Sequence, residues 1–164
     1  MLYPDFMKAY IGDLPKRPLL PLLREGLEEL VPLLGRIADE KWKYRYESGK
    51  WTVASVVGHL VDSERIFPYR ALRIARRDPG ALPSFDEKVF AEHSNADLRT
   101  KAELIAEFEA ARASTIGLFS SFTPEMLALE GDVSNYRISV DGIGYQMAGH
   151  VLHHVKILKE RYGI

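Results

Sequence analysis

Apolar residues recur every three or four positions along four long stretches of the chain, the period of amphipathic helices. The first stretch, about Pro18 to Ala38, carries Leu19, Leu20, Leu22, Leu23, Leu27, Leu30, Leu33, Leu34 and Ile37 as a broad stripe. Pro32 lies within it, where a lost backbone donor predicts a kink. The second begins at Thr52, a good N-cap, and runs to about Arg77 with Val53, Val56, Leu60, Phe67 and Ile74 on one face. Pro68 sits inside it and predicts a kink or local opening, and Asp78-Pro79-Gly80 stops it. The third opens on Thr100 with Glu103 at the capping-box position and carries Leu104, Ile105, Phe108, Ala111, Ile116, Leu118 and Phe119. The fourth opens on Ser139 as its N-cap, runs to Tyr162 and buries Val140, Ile143, Met147, Val151, Val155 and Leu158.

The intervening segments have no such period. Residues 1–17 read as irregular chain lying over the bundle surface, 131–137 as a polar connection, and Thr123-Pro124-Glu125-Met126 as a short turn of helix. Residues 79–99 read as a long loop, a feature that compact domains often reserve for function. No stretch alternates convincingly with a period of two. The expected fold is all-α: a four-helix bundle with a long loop between the second and third helices.

Composition narrows the picture further. A chain of 164 residues suits a single domain, 1–164, with 46% hydrophobic and 27% charged residues. A formal net charge of −1 offers no footprint for nucleic acid. The absence of cysteine excludes disulfides, thiolate ligands and a cysteine nucleophile, and fits a reducing compartment. Met1-Leu2-Tyr3-Pro4-Asp5 lacks the basic and apolar regions of a signal peptide, and no apolar run reaches the ~18 residues of a membrane span. A soluble, cytoplasmic protein without membrane or nucleic-acid partners is expected.

The candidate chemistry lies in Gly149-His150-Val151-Leu152-His153-His154, inside the fourth helix. Residues four apart on a helix share a face, so His150 and His154 can aim both imidazoles at one ion. On the helical wheel His154 falls within the apolar face, His150 at its margin and His153 well outside, facing solvent or supporting a ligand from behind. His59, in Gly58-His59-Leu60-Val61-Asp62-Ser63-Glu64, sits at the margin of the second helix's apolar face. If the two helices pack side by side, His59, His150 and His154 meet as a metal site. The competing reading is three core histidines, each with its own hydrogen bond. Gly58 and Gly149 precede ligand histidines at a cost of about 1 kcal/mol each against alanine, which a close backbone approach would justify.

Around this point Asp62, Ser63 and Arg70 project near His59 as candidate substrate-binding residues. Arg70 either holds an anionic substrate or makes a salt bridge to a neighbouring helix, and Asp62 either orients a ligand imidazole or is solvated. Trp51, Tyr69 and Phe85 either close the pocket or belong to the core. His93 stands alone in its loop.

Lys50-Trp51-Thr52-Val53, Gly58 through Phe67, Leu82-Pro83-Ser84-Phe85-Asp86-Glu87 and Gly149 through His154 resemble the DinB superfamily, and within it the YfiT-like branch, over nearly the whole chain. The resemblance implies a four-helix bundle whose metal ligands are His59, His150 and His154. It implies zinc, nickel or iron as the divalent metal and a homodimeric assembly acting on a small-molecule substrate. Some proteins similar to this one are thiol S-transferases using bacillithiol, mycothiol or glutathione; others are described as metal-dependent hydrolases. Pro68 departs from the pattern, where alanine is common. Three activities follow: transfer of a low-molecular-weight thiol such as bacillithiol to an electrophile, hydrolysis, or non-enzymatic metal binding in a stress response. Three neutral imidazoles leave a coordination position open, as catalytic metal sites do.

Overall fold

A computed structural model describes all 164 residues and shows the expected bundle. Its long helices are α2 (Leu19–Gly35), α3 (Val53–Ala75), α5 (Lys101–Ser120) and α7 (Val140–Arg161). The short helices α1 (Lys8–Ile11), α4 (Glu87–His93) and α6 (Pro124–Leu127) lie in the connections. The predicted caps form: Thr52 accepts the Ser55 N–H at 2.9 Å and Ser139 that of Gly142 at 3.3 Å, while Thr100 and Glu103 close a reciprocal box. Neither Pro32 nor Pro68 interrupts its helix.

The long helices pack in the cyclic order α2–α7–α3–α5, and the diagonal pairs barely meet. Side-chain contacts fix their directions. Gly144 lies against Leu19 and Gly26 against Val151, so α2 and α7 run parallel. Val57 and Leu60 share one cluster with Leu104 and Phe108, while Phe67 and Ile74 share the other with Ile116 and Phe119, so α3 and α5 also run parallel. Trp51, just before α3, receives the Tyr162 hydroxyl through its carbonyl, while His59 meets His150, so α3 opposes α7.

Parallel neighbours that follow one another in the chain need a connection as long as the bundle. A helix of 20 residues spans about 30 Å, and residues 76–100 make that return. The segment is therefore more structured than the loop expected from its sequence. Asp86 caps α4 by accepting the N–H groups of Lys88 and Val89 at 2.9 and 3.2 Å, and a 3-10 turn follows at Ala96–Leu98. His93, expected in a loop, ends α4 on the exposed side.

Two further expectations give way. The connection after α6 contains an antiparallel hairpin, β1 (Glu130–Val133) and β2 (Tyr136–Ser139), and Leu82 bridges to Val133 beside it. Strands of four residues are too short for their alternation to stand out from the sequence. Residues 1–17 also have structure. The Leu2 N–H donates to Ser139 Oγ at 2.7 Å and its carbonyl accepts the Ser139 N–H at 3.0 Å, while α1 packs on α7.

The apolar core is divided. One cluster gathers Leu22, Leu23, Phe67, Ile74, Ile116, Phe119, Ile143 and Met147; the other gathers Leu30, Leu34, Val57, Leu60, Leu104, Phe108, Val151 and Val155. Between them, at one level of the bundle, α3, α5 and α7 place polar residues inward: His59, Ser63 and Glu64, then Arg112 and Thr115, then His150. The site is built on this polar waist.

Candidate metal centre

Because α3 and α7 are antiparallel neighbours, a histidine one-third of the way along α3 faces the middle of α7. His59 Nε2 lies 3.0 Å from His150 Nε2, and His154 Nε2 lies 3.2 Å from it. The three potential ligand atoms all fall within 4.8 Å of one another. His59 and His150 are only 3% and 9% exposed.

The electrostatics keep these rings neutral. Burial lowers the His59 pKa to about 4 and that of His154 to about 3, the latter with help from His59 and His153. His150 is pushed well below the ordinary value, first by burial and then by His154 and His59, with Arg112 contributing. A neutral imidazole presents either one N–H or one lone pair at Nε2. The Nε2 of His150 faces two others, so mutual hydrogen bonding leaves the group poorly satisfied. A cation at the focus would use all three lone pairs. Tetrahedral bonds of about 2.1 Å place ligand atoms roughly 3.4 Å apart, close to the 3.0 and 3.2 Å spacings found here. The donor set therefore fits a divalent transition metal with room for an exogenous ligand.

The glycines before His59 and His150 have their reason in the tertiary structure. A methyl group at Gly149 would collide with the carbonyl of Tyr10, and one at Gly58 would lie 3.0 Å from Ala96 Cβ. Each allows a connecting segment to cross its helix closely. The Tyr10 ring meets His150 and His153 edge-on at 5.8 and 5.0 Å between centroids. This cover explains a departure from the wheel: His150, expected at the margin, is more buried than His154. His153 turns to Tyr10 and stays outside the cluster. On the other side the Trp51 indole lies 5.0 Å from the His59 ring.

A cleft of about 720 Å³ opens beside the cluster, with His154, Trp51, Ser55 and Ile157 among its lining residues. Asp62, Ser63 and Arg70 are not among them. Asp62 is half-buried and makes no hydrogen bond to an imidazole; burial raises its pKa, partly offset by Arg65. Ser63 is buried one turn from His59, and its hydroxyl has no partner. Arg70 makes no salt bridge to a neighbouring helix: it donates to the Pro83 carbonyl at 2.7 Å and lies over the Phe67 and Phe85 rings. Phe85 joins the core margin and Tyr69 is exposed.

Beneath the histidines lies a group that the periodicity did not single out. Arg112, fully buried, donates to Glu64 at 2.6 Å and to the Leu23 carbonyl at 3.1 Å, and the Thr115 hydroxyl donates to Glu64 at 3.0 Å. Burial raises the Glu64 pKa, and Arg112 pulls it back. A signal was present: Arg112 is flanked at i−4 and i+4 by Phe108 and Ile116, a charge within an apolar stripe. Tyr10 had none, since its segment lacks a period.

Bundle and site together define a class: helical-bundle proteins with an inward three-histidine cluster on two antiparallel helices. The model of the DinB superfamily matches residues 22–158, and the chain belongs to that superfamily. It is similar, at 26% identity over 91% of each chain, to a protein of Oceanobacillus iheyensis whose name assigns it provisionally to the metal-dependent hydrolases. Among solved structures it is similar to Bacillus subtilis YfiT, described as a probable metal-dependent hydrolase with an unusual four-helix bundle topology. The TM-score is 0.76 at 20% identity, over 88% of this chain and 86% of that one. A mycothiol-dependent maleylpyruvate isomerase gives 0.72 at 13% identity, covering 86% of this chain and 60% of that one. These structural likenesses carry the fold. No helix is long and apolar enough to cross a membrane.

Proposed function

We propose that His59, His150 and His154 hold one divalent metal ion, and that the chain is an enzyme transferring a low-molecular-weight thiol to a small electrophile. The observation that carries the reading is the convergence of three neutral Nε2 atoms within 4.8 Å beside an open cleft. A divalent ion held by three uncharged ligands keeps its charge, and lowers the pKa of a thiol or water that binds it.

The chain's own residues supply the rest. It has no cysteine, so a sulfur nucleophile comes from outside. The cleft, at about 720 Å³, is large enough for a small thiol and its partner, since ligand sites commonly enclose about 300–1,000 Å³. Trp51 and Tyr10 shield the imidazoles from either side, and holding two reactants together there provides much of the rate. Hydrolysis is the second reading, favoured by the names of the Oceanobacillus and Bacillus proteins.

Metal analysis of the purified protein, with conjugation assays using bacillithiol, mycothiol and glutathione against a generic electrophile, separates the two. Thiol transfer requires both metal and thiol and disappears in His59→Ala. Ester or amide turnover with metal alone, and no conjugation with any thiol, would establish hydrolysis instead.

A further inference from the structure

Two arginines are buried in this protein, and only one has a carboxylate. Arg112 is paired with Glu64. Arg70, 6% exposed, meets no acidic side chain: burial pulls its pKa below the ordinary arginine value, and Tyr136 alone opposes the shift. A buried arginine is almost always paired, because an isolated charge loses its hydration with nothing in its place. A single donor of Arg70 is used, in the 2.7 Å bond from Nη2 to the Pro83 carbonyl. Nε and Nη1 have no partner in the chain, yet neither is sealed from solvent as Arg112 Nε is. The free donors can therefore be reached from outside.

The surroundings are aromatic and held in place. Arg70 Cζ lies 5.8 Å from the centre of the Phe67 ring and 5.6 Å from that of Phe85. Phe85 in turn meets Phe90 edge-on at 5.1 Å between centroids. Phe90 is 42% exposed, so ring surface beside the guanidinium faces solvent. The Leu82 carbonyl accepts the Ser134 N–H at 2.8 Å, which fixes the Pro83–Phe85 segment to the hairpin carrying Tyr136. The Tyr136 hydroxyl makes no hydrogen bond. Burial raises its pKa and Arg70 pulls it back, so it is protonated and near the guanidinium without touching it.

We infer that Arg70 is the base of a second ligand site, apart from the histidine cleft, that takes a small carboxylic acid with an apolar body. The carboxylate bridges the guanidinium and the Tyr136 hydroxyl, and the body lies against Phe85 and Phe90. A guanidinium offers a planar fork for two carboxylate oxygens, and apolar surroundings strengthen the pair. Aromatic walls favour an apolar remainder over a second charge. Arg70 does not line the histidine cleft, and Phe67 stands between the two sites, 5.9 Å from the His150 ring. The site uses none of the three histidines, so it goes beyond the metal reading and does not depend on the ion.

The test is NMR titration of the purified protein with benzoate, benzamide and acetate, repeated after verified metal removal. Benzoate should bind about tenfold more tightly than benzamide, its neutral isostere, as hydrogen bonds to a charged group imply. It should bind about fivefold more tightly than acetate, which lacks the ring. Arg70→Gln should remove the preference over benzamide, and Tyr136→Phe should reduce it about threefold. Phe90→Ala should narrow the gap to acetate and leave that to benzamide. Arg36→Gln, an exposed arginine at the end of α2, should match the unaltered protein. Tyr136→Phe and Phe90→Ala remove no buried charge, so they decide the matter if Arg70→Gln fails to fold. Equal affinity for benzoate and benzamide, a preference that survives in Arg70→Gln, or no change in both other variants overturns the inference. So does loss of benzoate binding together with the metal, since the carboxylate would then be a ligand of the ion. Benzoate binding that follows this pattern in a protein that takes up no metal refutes the histidine reading and leaves the Arg70 site standing.

Discussion

Each histidine near the cluster has a separable consequence when it is removed. His59→Ala, His150→Ala and His154→Ala each delete a converging Nε2, and each should lower metal content beyond the about 10–100-fold loss of affinity caused by removing a supporting partner. His153→Ala should keep its metal, because its ring packs on Tyr10 outside the cluster. Elemental analysis of the four proteins checks this, and a loss in His153→Ala equal to that in His154→Ala overturns it. The same rings set a pH dependence. The ordinary imidazole value of 6.5 applies in the unfolded chain, while burial holds His59 near 4 and His154 near 3 in the fold. Between about pH 6.5 and 4 the unfolded chain binds protons that the folded one refuses, so stability falls with acid across that window and is fully present above it. Chelator-treated protein should therefore melt at a lower temperature at pH 5 than at pH 7; a higher one reverses the sign and refutes the assignment.

At the level of elements, the two glycines predict unequal effects. Gly149→Ala drives a methyl into the Tyr10 backbone, so α1 must move away from α7. A cost of about 1–3 kcal/mol is expected, as for overpacking elsewhere, or a fall in Tm of roughly 2–9 °C. Gly58→Ala comes closest to Ala96 Cβ, at 3.0 Å, with the Ser94 side chain at ordinary contact distance, and α3 gains up to about 1 kcal/mol of helix propensity. Its Tm should change by no more than a few degrees. Thermal melts of the two variants decide the matter, and equal losses would refute the difference between the two crossings. Much at this scale was legible in the chain: Thr52, Thr100 and Ser139 all cap the helices they were expected to cap. The hairpin at Glu130–Ser139 and α4 were not, because four and seven residues carry too little period to be seen.

Across the whole molecule, the polar waist joins the helices. Arg112 holds α5 to Glu64 on α3 and to the Leu23 carbonyl on α2. Breaking a buried pair strands a charge, at a typical cost of about 3–5 kcal/mol. Arg112→Met should lower stability by that order in chemical denaturation, and the double variant Arg112→Met with Glu64→Leu should recover much of it. No recovery would mean that packing, not the stranded carboxylate, accounts for the loss. Metal should add to the stability of the assembled waist, since the ion favours the folded arrangement of α3 and α7 over the unfolded chain. Thermal melts before and after verified metal removal measure that contribution.

Local patterns settled what the four long segments would become and which residue types carry the chemistry. The 3.6-residue period depends only on near neighbours, and so does the pairing of His150 with His154 one turn apart. The meeting of His59 with that pair was expected only on condition that their helices became neighbours. Only packing supplied that neighbourhood, along with the parallel run of α3 and α5 that stretches residues 76–100 along the bundle. Packing likewise chose Tyr10 to cover His150, and Glu64 to meet Arg112, 48 positions away. Separations of this length leave no period in a sequence; they depend on which helix faces fit together, and that is decided when the whole bundle closes.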